Sequence, residues 1–148
     1  MAAAAPILPV EEAVVKYFFF LCLDEQVSFS ASLKVLGDLK AANRIDEGHR
    51  SHWVQALHRW KTKIKKIRGR SWSENAAAPG FEFHSEMEIA NWVSFISAAD
   101  PDEVEAVLLS RVLGFTDDDI ARGLEVTEGT VRYRVGRGLR HLGGYIYA

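Results

Sequence analysis

With 148 residues, 48% of them apolar, and a formal net charge of −2, the chain has too much core-forming material to be disordered and room for only one or two compact units. Its one cysteine, Cys22, lies in an apolar run, which excludes an internal disulfide and points to an inert buried thiol in a reducing compartment, so the expected location is cytoplasmic. The longest apolar run, Tyr17 to Leu23, is far below the roughly 20 residues of a membrane span, and the opening MAAAAPILP has no charged segment ahead of its apolar residues, so it reads as a flexible start and not as a secretory signal.

Val10 to Leu23 suits a buried helix, with Val10, Val14, Phe18 and Leu21 on one face and Tyr17, Phe19 and Phe20 thickening it nearly all round. Its aromatic cluster is expected to be core; a partner-docking surface is the alternative. Ser28 or Ser30 can cap a second helix, along which Phe29, Leu33, Leu36 and Leu39 recur every three or four residues. A third helix, capped near Ser51, carries the apolar seam Trp53, Leu57, Trp60, Ile64 and Ile67.

The outer side of that third helix is basic. From Arg59 to Arg70, seven of twelve residues are Lys or Arg, which on a helix forms a stripe along solvent. Lys61, Lys63, Lys65, Lys66, Arg68 and Arg70 are therefore candidates for nucleic-acid phosphate contact; a solvated face and a membrane-surface or acidic-protein contact are the other readings. Two of the intervals among His49, His52 and His58 are not helical ligand spacings and no cysteine or clustered carboxylate completes a tetrahedral set, so no metal is expected. SWSENAAAPG, residues 71–80, has the small and polar composition of a linker, after which Phe81 and Phe83 dock its end. Glu86 to Ala98 reads as a helix with Ile89, Trp92, Val93 and Ile96 inward.

Asp100 to Leu142 is the most informative stretch. Asp100 can cap a helix with Pro101 at its first position and Glu103 three residues after the cap, running to Gly114 with Val104, Val107, Leu108 and Val112 or Leu113 inward. Thr116 caps a short second helix whose first turn holds Asp117, Asp118 and Asp119; Ile120, Ala121 and Leu124 face inward, Gly123 helps end it, and Glu125 and Val126 turn the chain. Thr127 caps a third, with Val131, Val135, Leu139 and Leu142 buried. The other faces hold Glu128, Thr130, Arg132, Tyr133, Arg134, Arg137 and Arg140, and a helix of this kind is one that a major groove admits. A three-helix bundle with a solvated arginine face is the plain alternative. Gly136 and Gly138 each cost such a helix about 1 kcal/mol.

The run EVEAVLLSRVLGFTDDDIARGLEVTEGTVRYRVGRGLRHL resembles the promoter-reading C-terminal domain of bacterial RNA polymerase sigma factors, especially the extracytoplasmic-function branch. The resemblance lies in Val107-Leu108-Leu109, in Gly114 through Ala121, and in Thr127-Glu128-Gly129-Thr130-Val131-Arg132-Tyr133-Arg134. Tyr133 stands where that family usually has a small residue. HWVQALHRWKTKIKKIRGR is similar to the end of the family's N-terminal domain, which contacts promoter DNA near the melted segment, whereas SFSASLKVLGDLKAA lacks the acidic signature with which the family holds polymerase. Response-regulator output domains share part of the pattern.

The expected fold is all-α: an N-terminal helical unit at 1–70, a linker at 71–85 and a helix-turn-helix unit at 86–148. The resemblance implies a DNA-binding transcription protein, with Thr116, Thr127 and Thr130 positioning the backbone, Arg132, Tyr133 and Arg134 at base edges or nearby phosphates, and Arg137 and Arg140 adding charge. Double-stranded DNA is the expected partner, RNA polymerase core and an inhibitor protein are further candidates, and no membrane is involved. A sigma-like protein-interaction regulator that does not read promoters, and an independent helix-turn-helix regulator, are the alternative functions. No enzyme motif and no cofactor site is found.

Overall fold

A computed structural model describes residues 8–64 and 89–146, and among these every element is helical. The expected linker at 71–85, together with Phe81 and Phe83, lies outside the described residues. The first helix, α1 (Val10–Cys22), follows Pro9 and holds Glu11 and Glu12 in its first turn, where the helix dipole favours acids. It ends as Leu23 takes a left-handed conformation at φ 55° and returns its N–H to the Phe19 carbonyl at 2.7 Å. Its flanks bury Val14, Tyr17, Phe18, Phe19 and Phe20, so the aromatic cluster is core, as expected.

The second helix, α2 (Glu25–Ala41), begins earlier than Ser28 or Ser30 would place it. Asp24, in an extended conformation just after the Leu23 turn, accepts a hydrogen bond from the Val27 N–H at 3.0 Å and is the cap. That start changes which face is inward. Ser28, Ala31 and Ser32 are small enough to lie close against α1; the Ser28 hydroxyl donates to the Val15 carbonyl at 3.2 Å and the Ser32 hydroxyl to the Ser28 carbonyl at 2.6 Å. Val35 and Leu39 complete the buried stripe, Leu36 is half-buried, and Phe29 and Leu33, expected inside, are 61% and 56% exposed.

A single 3-10 turn at Glu47–His49 leads into α3 (Arg50–Ile64), which buries Trp53, Val54, Leu57 and Ile64. The Trp53 indole donates to the Arg44 carbonyl at 2.7 Å, and the half-buried Trp60 donates to Asp38 at 3.2 Å. Ile67, the last residue of the expected seam, is outside the described residues.

The C-terminal half comprises α4 (Ile89–Ala98), α5 (Pro101–Val107), α6 (Asp117–Leu124) and α7 (Glu128–Ile146). On α4, Trp92 and Phe95 are fully buried, while Ile89, Val93 and Ile96 are half-buried. Asp100 caps α5 as expected, accepting from the Asp102 N–H at 2.9 Å with Pro101 in the first turn. The helix does not continue regularly to Gly114. From Leu108 to Val112 the turn widens, with the Leu113 N–H reaching back five residues to the Leu108 carbonyl at 3.0 Å, and Gly114 ends it at φ 75°. The wider turn lets Leu108, Leu109 and Leu113 all reach the core.

One continuous core spans both halves. Trp92 donates its indole N–H to the Phe20 carbonyl at 2.7 Å and meets the Phe20 ring edge-on at 5.9 Å. Phe115, before α6, lies edge-on to Trp53 at 6.3 Å and under the Arg50 guanidinium at 4.7 Å. Gly123 presses α6 on α3 so closely that an added Cβ would stand 2.5 Å from the Val54 Cβ.

At the centre of the joint is Glu105 of α5, whose side chain is 1% exposed. Tyr17 of α1 donates its hydroxyl to Oε2 at 2.8 Å, Lys61 of α3 donates to Oε1 at 3.2 Å, and His58 Nδ1 lies 2.9 Å from both oxygens. Burial pushes the Glu105 carboxyl up, but the His58 hydrogen bond, the Lys61 charge and the Tyr17 hydroxyl outweigh it and hold the group below its usual value. Burial, followed by the Glu105 charge, pushes the Tyr17 hydroxyl well above its ordinary range.

A carboxylate whose pKa is lowered by folding stabilises the folded state at neutral pH, and that contribution is lost as the pH falls below the ordinary carboxylate range and through the lowered value. Glu105→Gln, which leaves Lys61 buried against an uncharged partner, is expected to cost about 3–5 kcal/mol in urea unfolding. The variant should also lose the steepest part of the wild-type acid sensitivity. Equal urea midpoints for the two proteins would contradict the assignment.

Candidate nucleic-acid interface

The helix-turn-helix is built by its caps. Thr116 accepts from the Asp119 N–H at 3.1 Å and opens α6, with Asp117, Asp118 and Asp119 in the favourable first turn. Gly123 does not end this helix. It remains inside α6 as the point of contact with α3, and Glu125 takes the left-handed cap position at φ 59° with its N–H on the Ala121 carbonyl. Ile120 and Ala121 are buried and Leu124 is half-buried. Thr127 then opens α7 by accepting from the Thr130 N–H at 3.1 Å, and the two threonine hydroxyls share a further hydrogen bond at 2.9 Å.

Val131, Val135 and Leu142 are buried and Leu139 half-buried, so α7 presents the expected stripe inward. It continues unbroken through Gly136 and Gly138 to Ile146. Gly138 has a packing role, since a Cβ there would stand 2.4 Å from a Val107 methyl and 3.0 Å from the Glu103 carbonyl oxygen.

The side chains expected to meet DNA fall into distinct groups. Thr116, Thr127 and Thr130 are committed to the helix starts. Glu128 is exposed in the first turn of α7. Arg132 is 63% exposed and 3.8 Å from Asp117 of α6, and Tyr133 is 61% exposed. Arg134 is turned toward Asp102 of α5 at 3.8 Å, with 25% of its side chain exposed. Arg137 donates Nε to Glu103 at 3.2 Å and Nη1 to the Tyr133 hydroxyl at 3.2 Å, and Arg140 is exposed. The Tyr133 hydroxyl and the Glu103 carboxylate both favour the charged Arg137 guanidinium and raise its pKa further.

The basic stretch at the end of α3 differs from expectation at its first member. Lys61 is 7% exposed and paired with Glu105, so it faces the joint and not solvent; its four-carbon stem carries the ammonium from α3 to the buried carboxylate on α5. Lys63 is exposed, with its ammonium 4.0 Å from the centre of the Trp60 ring. Lys65, Lys66, Arg68 and Arg70 lie outside the described residues. Among the described residues no group of three or more His, Cys, Asp or Glu could hold a metal ion, and His58 is engaged by Glu105. Among them, too, no helix is long and apolar enough to cross a membrane.

Sequence reasoning did not single out Glu103 as a partner of α7. Its expected role at the start of α5 was reciprocal capping, yet its carboxylate is buried and holds Arg137 and, at 3.5 Å, His141. The available signal was the spacing of Arg137 and His141, one turn apart on a helix that has to pack on α5.

Residues 100–142 match the family model of sigma-70, region 4. This stretch is similar in sequence to that region. The solved structure of the sigma factor RpoE from Bartonella quintana, in complex with the anti-sigma factor NepR, superposes with a TM-score of 0.72 at 18% identity, covering 94% of this chain and 92% of that one. Comparison with curated proteins gives no match. The region-4 match falls on α5, α6 and most of α7.

The contrast between two neighbouring lysines tests this geometry. Lys61→Ala should leave Glu105 short of its charge partner and destabilise the chain by about 3 kcal/mol, whereas Lys63→Ala should stay within about 0.5 kcal/mol of wild type. Urea midpoints measure both, and similar losses from the two variants would contradict the buried placement of Lys61.

Proposed function

We propose that this chain is a reduced extracytoplasmic-function-type sigma factor, a DNA-binding transcription regulator that recognises promoter DNA through α7 and recruits RNA polymerase core. The observation that carries the reading is the outward face of α7 in a region-4 helix-turn-helix: Arg132 and Tyr133 are presented to solvent at the N-terminal half of the recognition helix, the part that enters a major groove. Its role is recognition and not catalysis, and it acts in the cytoplasm. Lys63 and the basic residues that follow it supply phosphate attraction, and Arg140 adds charge farther along α7. In this reading the units at 1–70 and 86–148, joined by the linker at 71–85, work together on one promoter.

An exposed apolar ridge on α2, formed by Phe29 and Leu33, supports protein partners as well. RNA polymerase core is the partner proposed for the chain as a regulator, and an inhibitor protein is the second, supported by the anti-sigma factor bound to the similar RpoE. A regulator that binds such proteins without reading promoters is the second functional reading, and the same ridge is the observation in its favour.

Co-purification of the full chain with polymerase core, followed by transcription from the promoters it selects, tests the proposal. If Arg132 makes a bidentate base contact, Arg132→Ala should cost about 1–3 kcal/mol on specific duplex and relax preference at one position. Titrations on specific and scrambled duplexes measure this. Unchanged affinities on both would remove α7 as the reader and favour the protein-interaction reading.

A further inference from the structure

On α7 the residue diametrically opposite the buried stripe of Val131, Val135 and Leu142 is Tyr133. An aromatic ring that is 61% exposed is ordinarily mobile, but this one is held. Arg137, one turn on, donates to its hydroxyl at 3.2 Å and lies 5.8 Å from the ring centre, and Arg137 is itself anchored at 3.2 Å on the buried Glu103 of α5. About one turn to either side of the ring the helix carries a glycine. Gly129 precedes Tyr133 by four residues and Gly136 follows by three; a Cβ at Gly136 would meet nothing within 4 Å, and one at Gly129 would meet only Thr127 Oγ1 at 3.8 Å and Arg132 Nη2 at 4.0 Å. At Gly136 the helix backbone carries no side chain and nothing inside the protein fills the space, so a groove wall can approach it closely.

Tyr133 is therefore a fixed projection flanked by two glycines, with an apolar ring and a directed hydroxyl. Arg137 donates to the phenol oxygen, so the phenol's own hydrogen is left to donate elsewhere. Among the base edges in the major groove, only thymine places an apolar group, the C5 methyl, beside an acceptor, O4; adenine and cytosine present amino donors, and guanine has acceptors but no methyl. We infer that Tyr133 is a specificity-determining residue that reads a thymine in the recognised DNA, and that Arg137 is a positioning residue held by Glu103 and not a phosphate contact. The inference rests on the proposed function, of which it specifies one base.

The test selects duplexes from a randomised pool with the full chain and with its Tyr133→Ala variant. The wild-type motif should contain a thymine that the variant's motif lacks, the remaining positions being shared. Replacing that thymine by deoxyuridine should weaken wild-type binding about fourfold, the worth of one buried methyl, and leave Tyr133→Ala unaffected. Arg137→Ala should lose most of the thymine-to-uracil discrimination while keeping the salt dependence of binding, since loss of a phosphate contact would lower that slope by about one. The inference is overturned if a motif is recovered without a Tyr133-dependent thymine, if uracil binds as well as thymine, or if Arg137→Ala lowers the salt slope and leaves discrimination intact. If no motif is recovered at all, DNA reading itself fails and this inference falls with it.

Discussion

A carboxylate with 1% of its surface exposed has to be surrounded by donors, and Glu105 finds all of its donors in the other half of the chain. Removing such a charge from water costs several kcal/mol, so an α5 without α1 and α3 beside it would have to turn this residue outward or keep it protonated. Tyr17, His58 and Lys61 offset the cost only when the N-terminal half is docked. The apolar contacts run in the same direction: Trp92 is capped by the Phe20 carbonyl, Phe115 lies against Trp53 and Arg50, and Gly123 allows α3 to lie directly on α6. The helix-turn-helix is therefore supported on its back by α3, while the outward face of α7 remains open.

That support also sorts the arginines. Arg134 and Arg137 reach back to Asp102 and Glu103 of α5, and Arg50 reaches Asp119 of α6, so a good part of the positive charge around the motif is used to orient helices. Arg132, Tyr133 and Arg140 are exposed on α7 with no such tie to α5, whereas the exposed Arg137 and His141 are drawn toward Glu103. In the proposed function α7 relies on a few held contacts more than on a dense field of positive charge, in keeping with the chain's overall charge of −2.

What could be read from the sequence was what depends on near neighbours. Asp100, Thr116 and Thr127 were legible as caps because a cap acts over three residues, and the inward stripe of α7 because Val131, Val135 and Leu142 keep helical spacing. The failures share a cause in long-range contact. The stripe from Phe29 to Leu39 is inward only at Leu36 and Leu39; Phe29 and Leu33 turn out because the small Ser28, Ala31 and Ser32 take the buried positions, Ser28 with a hydroxyl bond to α1 that no hydrophobicity pattern registers. Lys61 reads as one more basic residue in a solvated stripe and Glu105 as a polar residue beside an apolar stripe; only their pairing across 44 residues makes both of them core. Gly123 has a helix-ending residue's identity and a packing residue's job. On the interface itself, Arg132 and Tyr133 were legible as exposed, but the clasp of Arg137 on Glu103 was not, because it requires knowing that α7 lies along α5.

The central claim is that the two halves are coupled through Glu105 and its surroundings into one cooperative body that carries the open face of α7. Native-state amide hydrogen exchange of the full chain, followed through a urea series, measures this directly. Coupling predicts that the slowest amides of α1 and of α7 open with the same free energy and the same urea dependence. If α7 kept its protection under conditions where α1 had already opened, the halves would be independent and the account would be contradicted.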